Sequence, residues 1–413
     1  MIRVLVTFLA LSMFCSTSRA QEMPRFTIDT PTETRRGCRL KAFDLSGKLQ
    51  AEHLDGKIDS PRLVELRQEE AALPPLLTHE FVGLTNGDRI PLDTTSPANL
   101  GENALKIWPS ATMPSIGGKA VSLYSPHVAM IFWAVPESVD RPEFFFAQLE
   151  KQPRKLDAIF LRNGDRIDGK VTKLSGKDGC VLTTERRTAT VTWSKLAGIA
   201  WSTERAARPR TKGVYYRAIL ACGARLNLLD VRFDAKAKLF IAQTQFDHTL
   251  SIPESALLAL DVKNGPAIDL ADLTPTRYEF RPYLGASWPW IKNLSTANHP
   301  LRIAGNTFED GIGTHAACTL EYKLDAKYTR FDSLVGIDPV SASRGRAKVA
   351  IEFEGKRIDL NAGKEISSRT PPIEVRMDVR GVRTLKLHVD FGSFGDVEAH
   401  VNWAKARLVK GGE

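Results

Sequence analysis

Along most of this chain apolar and polar residues alternate in short runs, and glycine, proline or asparagine interrupts them roughly every ten positions. Val181-Leu182-Thr183-Thr184 and Thr190-Val191-Thr192-Trp193 show the period of two that a half-buried strand requires. The same period returns in Lys348-Val349-Ala350-Ile351-Glu352-Phe353, in Ile373-Glu374-Val375-Arg376-Met377-Asp378-Val379 and in Thr384-Leu385-Lys386-Leu387-His388-Val389-Asp390. The pattern predicts an all-β protein. A short polar helix is expected around Glu69-Glu70, next to the apolar residues 63–66, as a solvated face rather than a catalytic pair.

Part of the alternation repeats itself. Phe81-Val82-Gly83-Leu84-Thr85-Asn86-Gly87-Asp88-Arg89-Ile90 matches Ala158-Ile159-Phe160-Leu161-Arg162-Asn163-Gly164-Asp165-Arg166-Ile167. Each reads as strand, tight Asn-Gly turn, strand, with both turn residues expected at positive φ. The copies close on Val128-Ala129-Met130-Ile131-Phe132-Trp133 and Leu196-Ala197-Gly198-Ile199-Ala200-Trp201. A looser copy runs over residues 216–262, with Ala221-Cys222-Gly223-Ala224 in place of the turn, and a degenerate one over 38–66. Each is expected to be a small five-strand unit. The hairpin motif resembles the first hairpin of SH3-like or Sm-like barrels. Asp88 and Asp165 are expected to serve the turn, their side chains bonding nearby amides. One carboxylate per turn is too few for calcium, which takes about six to eight oxygens.

Composition narrows the class. Hydrophobic residues make up 43% and charged residues 25%, which excludes a disordered chain and a helical membrane protein. Residues 1–20 carry Arg3, a short apolar run and Ser18-Arg19-Ala20, the signature of an export signal. A secreted or periplasmic protein is therefore expected, with no transmembrane segment. The formal charge is +9, falling to +7 without Arg3 and Arg19. That excess is mild and spread out, so no nucleic-acid partner is expected. Its one dense cluster is Arg205, Arg208, Arg210 and Lys212, read as a basic linker. Cys38, Cys180, Cys222 and Cys318 form no CxxC pair and are expected on strands as small buried hydrophobes. The pairing of these four stays open.

From about Tyr278 the pattern changes. Trp288-Pro289-Trp290 opens a loop-rich stretch, and six to nine short strands follow, as in a two-sheet sandwich. Gly311-Ile312-Gly313-Thr314-His315-Ala316, Phe331 with Val335-Gly336-Ile337-Asp338, Val379 to Leu387 and His400-Val401-Asn402-Trp403 then appear in order. Together these motifs resemble the NPCBM family of carbohydrate-binding modules, found attached to secreted glycoside hydrolases including family 98 enzymes. The resemblance covers residues 283–409 and implies a galactose-binding-domain-like jelly roll. The family commonly has an Asp before the His of its last motif, where this chain has Ala399. No metal or cofactor is therefore assigned.

The expected organisation is a signal at 1–20, an N-terminal segment at 21–75 and β repeats at 76–150, 151–204 and 214–275, with the linker at 205–213 and the sandwich at 278–413. Modules of this likeness bind sugars at the loops of one end, an aromatic face against the ring and polar groups on its hydroxyls. Trp288, Trp290, Arg344, Phe394 and His400 are the loop-like candidates. His315 and Trp403 read as core, and Asp338 as a cap before Pro339. The chain contains no Gly-x-Ser-x-Gly, His-Glu-x-x-His or Walker motif. Repeats and module leave no room for a hydrolase barrel. The expectation is a non-catalytic, secreted carbohydrate-binding protein whose partner is a glycan or polysaccharide. The alternative is a structural protein of the cell envelope that meets another protein through its β repeats.

Overall fold

The computed structural model describes residues 24–411 apart from 61, 70, 208–212, 284, 286, 342 and 343. The expected export signal, Glu70 and most of the basic cluster lie outside the described residues. The chain is all-β, with small barrel repeats followed by a two-sheet sandwich.

Four times the first strand of a unit pairs antiparallel with its last. Phe26–Asp29 pairs with Glu65–Gln68, Phe81–Leu84 with Val128–Phe132, Asp157–Leu161 with Leu196–Ala200, and Tyr215–Leu220 with Leu257–Lys263. The units then join in twos. Val128–Phe132 lies against Leu196–Ala200, and Leu257–Lys263 against Glu65–Gln68. These closing strands are apolar on both faces because each is covered by two units, so strict alternation fails there. Of the residues expected in a short polar helix, Arg67 and Gln68 end the strand Glu65–Gln68, which this pairing flanks on both sides, and Glu69 lies in the turn after it.

The repeated turn differs from expectation in one respect. Only the glycine takes positive φ, 87° at Gly87 and 93° at Gly164. Amide 87 bonds carbonyl 84, and amide 84 bonds carbonyl 88, a three-residue turn with a bulge. Gly223 repeats both bonds in the third copy, so Cys222 lies in a turn rather than on a strand. The Asn side chain, not the Asp, bonds the nearby amide, from Asp88 to Asn86 Oδ1 (3.0 Å) and from Asp165 to Asn163 Oδ1 (3.2 Å). Asp88 is freed to reach another repeat, accepting from the Asn227 amide at 2.7 Å. All four described cysteines are free.

Among the described residues one α-helix, Pro142–Lys151, interrupts the strands. Pro142 starts it where a missing N–H does no harm. Its Phe146 ring packs edge-on against Phe132 and Phe81, centroids 4.8 and 5.2 Å apart.

The sandwich starts earlier than the change of pattern at Tyr278. Ala267–Asp269 already pairs with the last strand, His400–Val409, and Leu270 is in the core. One sheet runs Ile291–Lys292, Gly311–His315, His400–Val409, Arg330–Ile337 and Ile373–Asp378. The facing sheet runs Arg277–Phe280, Cys318–Lys323, Thr384–Phe391, Arg346–Phe353 and Lys356–Asp359. Trp403, Tyr322 and Phe331 fill the space between them.

Candidate functional site

At one end of the sandwich Tyr283 and Trp288, Arg344 and Arg346, and the stretch from Gly392 to His400 converge. The register of Gly311–His315 on His400–Val409 sets His315 opposite His400, ring centroids 4.8 Å apart. Trp288 covers both, stacked on His315 at 4.5 Å and 11° and edge-on to His400 at 5.4 Å. Its carbonyl accepts the Tyr278 hydroxyl. His400 Nδ1 lies 2.8 Å from Thr296 Oγ1, and His315 Nδ1 2.9 Å from the Ala316 carbonyl. Burial, with the neighbouring His315 second, pulls His400 down to about 4, and burial also lowers His315. Both rings are therefore neutral near pH 7 and act as hydrogen-bonding surfaces rather than charges.

Outside this stack lies an exposed aromatic pair. Phe394 is 50% exposed at the tip of the turn that Gly392 and Gly395 close. Tyr283 is 59% exposed and its ring lies on Gly395, where an added Cβ would sit 3.2 Å from it. Tyr283 also meets Phe391 edge-on at 5.4 Å. The Arg346 guanidinium sits 6.0 Å from the Phe394 centroid. Arg344 reaches Glu398 at 3.5 Å, and the other Glu398 oxygen has no partner among the described residues. This arrangement presents flat apolar faces beside hydrogen-bonding groups, which a sugar ring requires.

The five residues expected from the sequence separate. Phe394 and Arg344 are exposed on the converging loops, and Trp288 is half-buried behind them. His400 is buried in the stack. Trp290 is half-buried against the sandwich core. Tyr283 was missed, although Tyr283 and the Gly392-Ser393-Phe394-Gly395 loop both stand in the sequence. Nothing local says that they meet. Asp338 is fully buried, accepting Asn402 Nδ2 at 2.8 Å and the Val340 amide at 3.0 Å, with His299 Nε2 at 3.3 Å. Ala399 is fully buried too.

A second concentration of charge joins the repeats to the sandwich. Arg330 forks onto Asp29 at 2.8 and 3.0 Å, and Arg407 meets Asp29 at 2.7 Å and Glu65 at 3.0 Å. Glu309 accepts from Arg225 at 2.5 Å and Arg217 at 2.9 Å. Burial raises Glu309, but the two guanidiniums outweigh it and hold it down to about 2. Burial pushes Asp88 and Asp261 up to about 6, Asp261 helped by Glu65. Carboxylates set apart in this way mark acid–base sites when substrate reaches them. Here the unpartnered oxygens of Asp88 and Asp261 have no solvent contact. Asp88 pairs with Arg217 in the ion network, and Asp261 lines a cavity with Lys263, Asp310 and Lys405. Among the described residues no group of three or more His, Cys, Asp or Glu is arranged to hold a metal.

The fold is a two-sheet β-sandwich carried on barrel repeats. The family model of the NPCBM/NEW2 domain matches residues 269–409, about a third of the chain. A Renibacterium salmoninarum protein bearing the name of an endo-alpha-N-acetylgalactosaminidase is 24% identical over 110 residues, 27% of this chain and 7% of that protein. The chain thus spans a small part of that relative. A Clostridium perfringens CBM51 module solved with methyl-galactose is 20% identical, over 35% of this chain and 99% of that one, with TM-score 0.31. The tandem CBM51 modules of a Streptococcus pneumoniae family 98 glycoside hydrolase are 12% identical, over 90% of this chain and 100% of that one, also with TM-score 0.31.

Proposed function

We propose that the protein is a secreted, non-catalytic glycan-binding protein whose sandwich takes polysaccharide at the Tyr283–Phe394 end. The exposure of these two rings on converging loops carries the reading. Phe394 offers the stacking face, Arg344, Arg346 and Glu398 the hydrogen bonds, and Trp288 stiffens the floor. A shallow site of this kind binds on the order of micromolar to millimolar. The test is a glycan array on the full chain, followed by calorimetry on hits. Binding that falls tenfold or more in Phe394→Ala and Tyr283→Ala supports the reading, and a folded chain that binds no glycan sinks it. Export is tested by fractionation, where accumulation of the intact chain in the cytoplasm is the contrary result.

A second reading, a structural protein of the cell envelope, draws on the ion network that fixes the sandwich to the repeats. Envelope proteins captured equally by wild type and Phe394→Ala would favour it.

A further inference from the structure

The barrel repeats contain a cleft that sugar binding at the sandwich does not use. It opens where the first Asn-Gly repeat meets the second. Leu100 bridges to Leu174, the Gly176 amide donates to Asn99 Oδ1 at 3.0 Å, and Gly176 leaves room for Pro97, whose Cγ would lie 2.7 Å from an added Cβ. The cavity measures about 420 Å³, within the range of roughly 300–1,000 Å³ usual for small-ligand sites.

Trp193, half-buried, forms one wall and packs at 81° on Trp133, 8% exposed at the base, with centroids 4.9 Å apart. Trp193 Nε1 donates to the Ser175 carbonyl at 3.0 Å and the Trp133 amide to Ala197 at 2.8 Å, so the corner is fixed before any ligand arrives. Thr94, Thr95 and Ser194 bring hydroxyls to the rim. Arg162 is the one charged residue lining the cleft among the described residues. It is exposed, and its guanidinium makes no hydrogen bond or ion pair among them.

The half-buried Trp193 indole, backed by Trp133, matches the C–H face of a pyranose, hydroxyls match its rim, and an unpaired guanidinium matches a carboxylate in bidentate geometry. A peptide acid would use the arginine but not the corner. We propose that this cleft is a second saccharide site, specific for a carboxylated pyranose. The net charge of +7 that remains without Arg3 and Arg19 has the sign that favours approach of such an acidic polymer.

Calorimetry on the full chain tests this with tetragalacturonate and sialyllactose as the two sources of a carboxylated ring, and tetraglutamate as a charge control. Saturable binding of either saccharide is expected. It should weaken tenfold or more in Arg162→Ala, an exposed change that leaves folding intact, and stay unchanged in Arg186→Ala and Phe394→Ala. Persistence in Phe394→Ala separates this site from the one on the sandwich. The proposal is overturned if neither saccharide binds, if Arg162→Ala binds as wild type, or if tetraglutamate binds equally well.

Discussion

Phe394 and His400 lie six positions apart on one loop and strand, yet they meet opposite fates. Phe394 projects half-exposed from a glycine turn with the Arg346 guanidinium near its ring, whereas His400 is locked beneath Trp288. Replacing Phe394 or Tyr283 by alanine should change stability by less than about 0.5 kcal/mol, as exposed positions do. The same substitutions should reduce glycan affinity tenfold or more, so a melting curve and a titration on each variant separate the two effects. His400 has a pH signature. Its folded-state value, about 4, lies below the ordinary 6.5. The unfolded chain therefore takes up a proton between those values that the native state refuses. Stability is lost as pH falls through that window, by up to roughly 3 kcal/mol. Asp88 and Asp261 act in the opposite sense, so the measurement is a difference. The stability gap between wild type and His400→Asn should shrink when denaturant melts are compared at pH 7 and pH 4.5.

Among the elements, the closing strands decide how the repeats associate. Val128–Phe132 and Leu196–Ala200 pair directly, with Ile131 opposite Ile199 and Phe132 opposite Gly198. A Cβ at Gly198 would fall 2.2 Å from the Phe132 ring. Gly198→Ala should therefore destabilise the chain by about 1–3 kcal/mol through overpacking, read as a shifted urea midpoint. The helix Pro142–Lys151 braces the other side of the same ring. Its run Phe144-Phe145-Phe146 resembles a strand, and the local signs of a helix are at its ends, Pro142 and Glu143 in the first turn and Lys151 in the last. The strand Glu65–Gln68 shows the reverse. Its residues carry a helix-like composition, and pairing with Phe26–Asp29 and Leu257–Lys263 overrides it.

At the scale of the whole molecule, the sandwich is seated on the repeats. Asp29 from the first repeat holds Arg330 and Arg407 of the sandwich, all three nearly enclosed. Arg217 and Arg225 of the last repeat hold Glu309, and Arg302 of the sandwich meets Glu143 on the helix at 2.9 Å. Removing one member of such a set leaves a buried charge uncompensated. Asp29→Ala should cost about 3–5 kcal/mol and lower the melting temperature. Calorimetry of the full chain should show one cooperative unfolding transition in wild type. Two separated transitions in wild type would contradict the role given to this network.

Strand content, repeat signatures and the sandwich motifs are legible in the sequence because period-two alternation, Asn-Gly turns and short motifs are local properties. Asn86 bonding the Asp88 amide is local in the same way. The fate of the Asp88 carboxylate is not, since its partners Arg217 and Asn227 come from another repeat. Likewise Phe394 was legible as a glycine-flanked aromatic, while Tyr283 became part of the candidate site only when strand pairing brought residue 283 onto residue 395. The corner of Trp133, Trp193 and Arg162 arises in the same manner. Sequence alone determined which segments alternate and where they turn. Tertiary structure decided which distant side chains share a face, because that depends on register and on how neighbouring units cover one another's strands.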